Sequence, residues 1–177
     1  MPALTFLAVD GVGDPNGLHF EQAVGALYGV AYTLKFALKK AGGHDYTVMP
    51  LEAIWGSGEQ DDSALPRAEW PWTALICQPE PLPAGMLDEA IAKCRAKDPN
   101  PALDRLRLID LNEGEAAQLL HLGPYADEGP SLERLHAFIT ASGLRFRGRN
   151  HEIYLSDPRR SAPEKLKTVL RHPVARG

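Results

Sequence analysis

Only two cysteines, Cys77 and Cys94, occur in the 177 residues. They match no zinc spacing and build no disulfide framework, so reduced, packed thiols and a cytoplasmic location are expected. A run of about 18 apolar residues, the least that spans a bilayer, is missing. Residues 1–5 lack the basic-then-apolar order of a secretory signal. Basic runs are missing too, and the net charge is -4, so neither nucleic acid nor an anionic membrane is an expected partner. The six histidines fall at no ligand spacing, and no metal is expected. The glycine loop at residues 10–17 lacks the third glycine and the Lys-Ser/Thr pair of a phosphate loop, which argues against a nucleotide. No cofactor is therefore expected.

What remains is ordinary globular composition, 44% hydrophobic and 24% charged, in a length that suits one domain over residues 1–177. Residues 4–9 are β-prone. From residue 18 to 41 the period changes: Phe20, Ala23, Val24, Leu27, Ala31, Leu34 and Leu38 recur every three or four positions, the mark of a helix with one buried face. Asn16 is a candidate cap, and Gly42-Gly43 a stop. Residues 46–55 and 69–78 read as strands around a polar loop at 56–68. A second helix is expected over 83–97, then strands at 106–111 and 116–122 around a hairpin turn at 112–115. Leu132, Leu135, Phe138 and Ile139 mark a third helix, followed by strands at 151–156 and 168–174. The order strand, helix, strand, strand thus appears in residues 4–78 and again in 116–174, linked by the helix and strand of 83–111. Two such units give an α+β fold: a curved, mostly antiparallel sheet with helices on one face, the other face left to hold a ligand.

The chemically interesting strand is His151-Glu152-Ile153-Tyr154-Leu155-Ser156. Alternation sends Glu152, Tyr154 and Ser156 to one side and His151, Ile153 and Leu155 to the other. With Ile153 and Leu155 packed under the helices, Glu152 and Tyr154 face the cleft. A carboxylate inside a sheet is costly unless something cationic, protic or reactive meets it. Burial among aromatic residues raises its pKa, which suits a counter-charge or a general base near neutrality. Glu52 and Glu113 read as exposed or turn residues, with Glu52 close enough to Trp55 to be a second pocket carboxylate. Trp55, Trp70 and Trp72 are candidate aromatic walls, and Tyr28, Tyr32, Tyr125 and Tyr154 candidate hydroxyl donors or ligand contacts.

Several segments carry a family resemblance. Phe6-Leu7-Ala8-Val9-Asp10-Gly11, Ala26-Leu27-Tyr28-Gly29-Val30-Ala31-Tyr32, Met49-Pro50-Leu51-Glu52, Gln118 to Tyr125 and above all His151 to Arg160 resemble the GyrI-like small-molecule-binding proteins over nearly the whole chain. The resemblance implies the duplicated fold and an aromatic cleft with a buried glutamate at Glu152, used by related effector domains for lipophilic, often cationic compounds. Some stand-alone members are similar to hydrolases that open the cyclopropane of DNA-alkylating natural products. Where members often carry two adjacent tryptophans this chain has Trp55-Gly56, and Asn150 stands where a histidine often precedes His151. No helix-turn-helix segment precedes the domain, so a regulator is not expected.

Three functions follow as expectations. The first is a cofactor-free hydrolase of cyclopropane-bearing electrophiles, with Glu152 as general base and Tyr28 or Tyr125 polarising the conjugated carbonyl. Trp55, Trp70, Trp72, Tyr32 and Tyr154 would then bind the ligand. The second is a binder that sequesters lipophilic, aromatic or cationic molecules without turnover. The third, suggested by the family name alone, is a protein inhibitor of a topoisomerase.

Overall fold

A computed structural model describes residues 2–57, 65–79 and 81–177; residues 58–64 of the expected polar loop lie outside them. The regular elements in chain order are β1 (Leu4–Val12), α1 (Leu18–Lys40), β2 (Leu51–Trp55), β3 (Pro71–Cys77), α2 (Met86–Lys97), β4 (Arg107–Leu111), β5 (Ala116–Leu122), α3 (Gly129–Ala141), β6 (Leu144–Phe146), β7 (Asn150–Tyr154) and β8 (Lys167–Arg176). The fold is α+β, and every strand pair described below is antiparallel. No helix among the described residues is long and apolar enough to cross a membrane. The described residues fall into two compact units, one drawn from 4–49 and 65–111, the other from 2–3, 50–57 and 112–177.

In the first unit β1 is flanked by β4 and β3, with Phe6 opposite Ile109 and Cys77. Its central run, Phe6 to Val9, is buried on both faces, which explains why it reads as continuous apolar sequence rather than alternation. Helix α1 packs on β1, β3 and α2. It buries Phe20, Ala23, Ala26, Leu27, Val30, Ala31, Leu34 and Leu38, the stripe the 3.6-residue period predicts. Each fully buried leucine there contributes about 1.5–3 kcal/mol. Asn16 is not the cap: Gly17 takes that position without a side-chain bond. The Asn16 amide and side chain are both held by the Asp14 carboxylate instead. At the other end the Gly43 amide bonds back to the Leu38 carbonyl and Gly42 takes a positive φ of 89°, so the glycine pair does stop the helix.

The second unit holds the sheet β2-β7-β8-β5, with β6 pairing the far end of β8. Helix α3 lies on β5, β6 and β8. Leu135 and Ile139 of α3 meet Ala117, Leu170 and Val174 in a closed core.

Four expectations change. Residues 46–50 are not strand, because β2 begins at Leu51. Because β4 pairs with β1 and β5 with β8, residues 112–115 are a crossover rather than a hairpin turn. Phe138 and Leu155 are exposed, at 59% and 48%, because α3 turns Leu135 and Ile139 inward and β7 ends at Tyr154. The short strand β6 carried no alternation long enough to be read.

The fourth correction matters most for function. The register pairs Glu152 with Leu170 and Tyr154 with Thr168. Antiparallel partners project to the same side of a sheet, and Leu170 belongs to the core under α3. Glu152 and Tyr154 therefore point to the helix-bearing face of this unit. His151 and its partner Arg171 take the opposite face.

Candidate functional site

Strand β7 presents Asn150, Glu152 and Tyr154 on one side, each partly buried, while His151 and Ile153 are buried on the other. On the first side the strands converge on one carboxylate. Asn150 Nδ2 donates to Glu152 Oε1 at 3.0 Å, and the Tyr154 hydroxyl donates to Glu152 Oε2 at 2.8 Å. Trp55, opposite Asn150 on β2, places its indole N–H 3.2 Å from the Tyr154 oxygen. Tyr125 stands edge-on to Tyr154 with ring centroids 5.4 Å apart.

A second carboxyl group joins them. Glu128, immediately before α3, is 7% exposed, and its Oε1 has no hydrogen-bond partner among the described residues. Burial and then the charge of Glu152 push its pKa up to about 8, against a small opposing effect of the Thr168 hydroxyl. Burial also raises Glu152, but Tyr154, Trp55, Asn150 and the charge of His151 all pull it back. Two carboxyl groups that repel one another ionise less readily together than apart. Both pKa values are raised, but the donors separate the two groups: Glu152, with a donor on each oxygen, is the better held as the anion, and Glu128 as the acid. Burial and the neighbouring Glu152 keep the Tyr154 hydroxyl far above its ordinary pKa, so it stays a donor. A neutral acid beside a hydrogen-bonded base is the pairing that acid–base chemistry needs.

The opposite side of β7 carries a chain of buried charges. His151 has no exposed surface; its Nδ1 lies 2.9 Å from Glu113 Oε1 and its Nε2 lies 2.9 Å from Glu52 Oε2. The first contact is a hydrogen bond, and the second is an ion pair without hydrogen-bond alignment. Arg171 Nη1 completes the chain at 2.9 Å from Glu113 Oε2. Burial lowers the imidazole pKa, yet the two carboxylates outweigh it and the net shift is upward. Glu113 moves the other way: burial raises it, and His151 and Arg171 together hold it below its usual value. Glu52 and Glu113 are thus neither exposed nor turn residues, being 7% exposed each. Glu52 is not a pocket carboxylate either, because β2 turns it to the His151 side, opposite Ile153.

Of the residues singled out in the sequence, Glu152, Tyr154, Trp55 and Tyr125 come together in this unit. Tyr28, Tyr32, Trp70 and Trp72 lie in the first unit. Tyr28 and the exposed Tyr32 stack on each other along α1 with centroids 6.3 Å apart. Trp70 precedes β3 and bonds the Leu65 carbonyl, with Arg67 over its ring. Trp72 is 1% exposed, edge-on to Phe20 and pressed against Gly11, which makes it a core residue with no face turned outward. No group of three or more metal-ligating side chains occurs among the described residues. Glu128 escaped the sequence because nothing periodic marks it. Asn150 was legible in principle: two residues before Glu152 in a strand is the same face.

The model of the GyrI-like small molecule binding domain matches residues 1–175. An uncharacterized conserved protein from Listeria innocua is 39% identical over 98% of this chain and 89% of its own, with a TM-score of 0.88. A hydrolase from Listeria innocua is 38% identical over 98% of this chain and 88% of its own, with a TM-score of 0.84. The EcmrR C-terminal domain, at 9% identity and a TM-score of 0.64 over 100% of this chain and 94% of its own, shares the fold alone. None of the curated proteins matches the chain.

Proposed function

The chain belongs to the GyrI-like small-molecule-binding family, and from that premise we propose that it is a cofactor-free hydrolase of cyclopropane-bearing electrophilic genotoxins, working as one domain. The observation that carries the reading is the pair of unlike carboxyl groups, Glu152 with a donor on each oxygen and Glu128 buried with its pKa pushed up to about 8, beside Trp55, Tyr125 and Tyr154. The 38% identical hydrolase from Listeria innocua supports a hydrolytic reaction.

In the proposed reaction the substrate is a cyclopropane conjugated to a dienone carbonyl. Glu152 takes a proton from water as the water oxygen bonds to a ring carbon. The ring C–C bond breaks, and its electron pair flows through the dienone to the carbonyl oxygen, which becomes a phenol. A tyrosine hydroxyl, Tyr125 in this unit, polarises that oxygen by hydrogen bonding, and Glu128 supplies its proton. Return of the water proton from Glu152 to Glu128 resets the pair. Acid–base help of this kind contributes roughly 10²–10⁴-fold. Relief of ring strain and gain of aromaticity drive the rest.

The test is turnover of a cyclopropane-bearing dienone followed by loss of dienone absorbance. More product than protein, and a fall of roughly 10²–10⁴-fold in kcat for Glu152→Gln, are expected. Wild-type rates from Glu152→Gln would sink the mechanism. A second reading, sequestration of lipophilic cations, draws on the same carboxylate set among Trp55, Tyr125 and Tyr154, where each aromatic face adds about 0.5–2 kcal/mol. It predicts at most stoichiometric loss of free ligand and no product.

A further inference from the structure

We propose that the Glu128–Glu152 pair makes uptake charge-selective by proton exchange: a monocation enters as the pair gives up its shared proton, whereas a neutral carbonyl compound is held by that proton. The inference rests on the small-molecule site described above and adds to it a rule for which ligands the site takes and at what pH.

The geometry supplies the reason. Both oxygens of Glu152 already have donors, Asn150 and Tyr154. Glu128 Oε1, buried and without a partner among the described residues, is where a proton or a ligand atom would complete the site. The groups that act on the two carboxyls come from every neighbouring element: Asn150 and Tyr154 from β7, Trp55 from β2 and Thr168 from β8. Tyr125 packs on Tyr154 from the turn before α3. All are neutral. Behind β7 stands His151, but it is closed in by Glu52, Glu113 and Arg171, two negative groups and, with the imidazolium, two positive ones. That chain sums to zero. On the face of the pair, His121 of β5 stands opposite Thr168, its ring nitrogens 2.9 Å from the Ser131 hydroxyl and 3.2 Å from the Pro124 carbonyl oxygen, so the Glu128→Gln variant is what assigns a released proton to the pair.

A cation held within about 4–6 Å of a carboxyl lowers its pKa by roughly 1–3 units. Starting from about 8 for Glu128, such a fall carries the group through neutrality, and the proton leaves to solvent. A neutral acceptor does the opposite, because a hydrogen bond to the protonated form favours it. Linkage then makes cation affinity rise with pH and carbonyl affinity fall.

Two probes of one skeleton separate these cases: 10-methylacridinium, a permanent flat cation, and 10-methylacridone, its neutral carbonyl counterpart. Binding is followed by calorimetry at about pH 7 in buffers of different ionisation enthalpy. The wild type is expected to release roughly 0.5–1 proton per methylacridinium and none per methylacridone. Glu128→Gln is expected to bind the cation without release. Equal release with both probes, no release with the cation, or release retained in Glu128→Gln would overturn the proposal while leaving the binding site standing. Failure of both probes to bind folded protein would remove the site and the proposal together. The wild-type comparison of the two probes can overturn the proposal even where the variant does not fold.

Discussion

Replacing His151 with leucine tests the buried charge chain behind the site. The side chain has no exposed surface, and the two carboxylates it joins are each 7% exposed. Removing one partner of a buried ion pair costs about 3–5 kcal/mol, because the other charge is left without compensation. Here the cost is unequal. Glu113 keeps Arg171 at 2.9 Å, whereas the ion pair described for Glu52 is the one with His151. The lower end, about 3 kcal/mol, is therefore expected, most of it from stranding Glu52. With a urea m-value of about 2 kcal/mol/M the unfolding midpoint falls by about 1.5 M.

The pH dependence carries a definite sign. The folded-state pKa of His151 is raised, so its contribution is fully present below the unfolded value of about 6.5 and is lost as pH rises through the folded value. Glu113, whose folded pKa is lowered, contributes above its unfolded value and loses that contribution as pH falls through the folded one. The gap between wild type and His151→Leu should thus narrow on the alkaline side. Adding Glu52→Gln to His151→Leu should recover about 1–2 kcal/mol, a coupling that a double-mutant cycle measures. A loss under about 1 kcal/mol for His151→Leu, or strict additivity with Glu52→Gln, would refute the assignment of a compensated buried charge.

Further expectations follow from the other face and from the first unit. Tyr154→Phe removes a donor that holds Glu152 down, and the acid limb of kcat/KM should move upward by up to about one pH unit, as loss of a charged hydrogen bond of about 1.5 kcal/mol implies; an unmoved limb would count against Glu152 as the base. Because the folded pKa of Glu128 is raised to about 8, the folded state binds more protons than the unfolded one between the two values, and stability falls as pH rises there. Glu128→Gln should therefore gain up to about 4 kcal/mol over wild type on going from pH 5 to pH 8.5, seen as a relative rise of up to about 8–16 °C in Tm. Gly11→Ala should destabilise by about 1–3 kcal/mol, since the new methyl overlaps the Trp72 ring and that ring is locked in the core; a near-neutral melting curve would show that Trp72 has room to move.

Much of this architecture was legible from local pattern. The three- and four-residue recurrence from Phe20 to Leu38 became the buried face of α1, and alternation through residues 150–154 sorted Glu152 and Tyr154 from His151 and Ile153. Such patterns are readable because they depend only on helix and strand geometry and on neighbours a few residues away. Asn16 and the turn at 112–115 misled for the complementary reason: a capping residue or a turn-like run fits several structures, and distant contacts choose among them. Asp14 took Asn16, and pairing with β1 and β8 separated β4 from β5.

The α+β class, the strand that carries Glu152 and, by resemblance, the family could all be read from the order of residues. Which sheet face bears the helix, and so that Glu152 looks toward α3 rather than away from it, emerged from the folded chain. Folding alone brought Glu128 within reach of the Glu152 charge and closed Glu52 and Glu113 around His151. The physical reason is that the cost of a buried charge depends on what lies across space from it. Those partners come from chain segments whose separation in sequence says nothing of their distance in the fold.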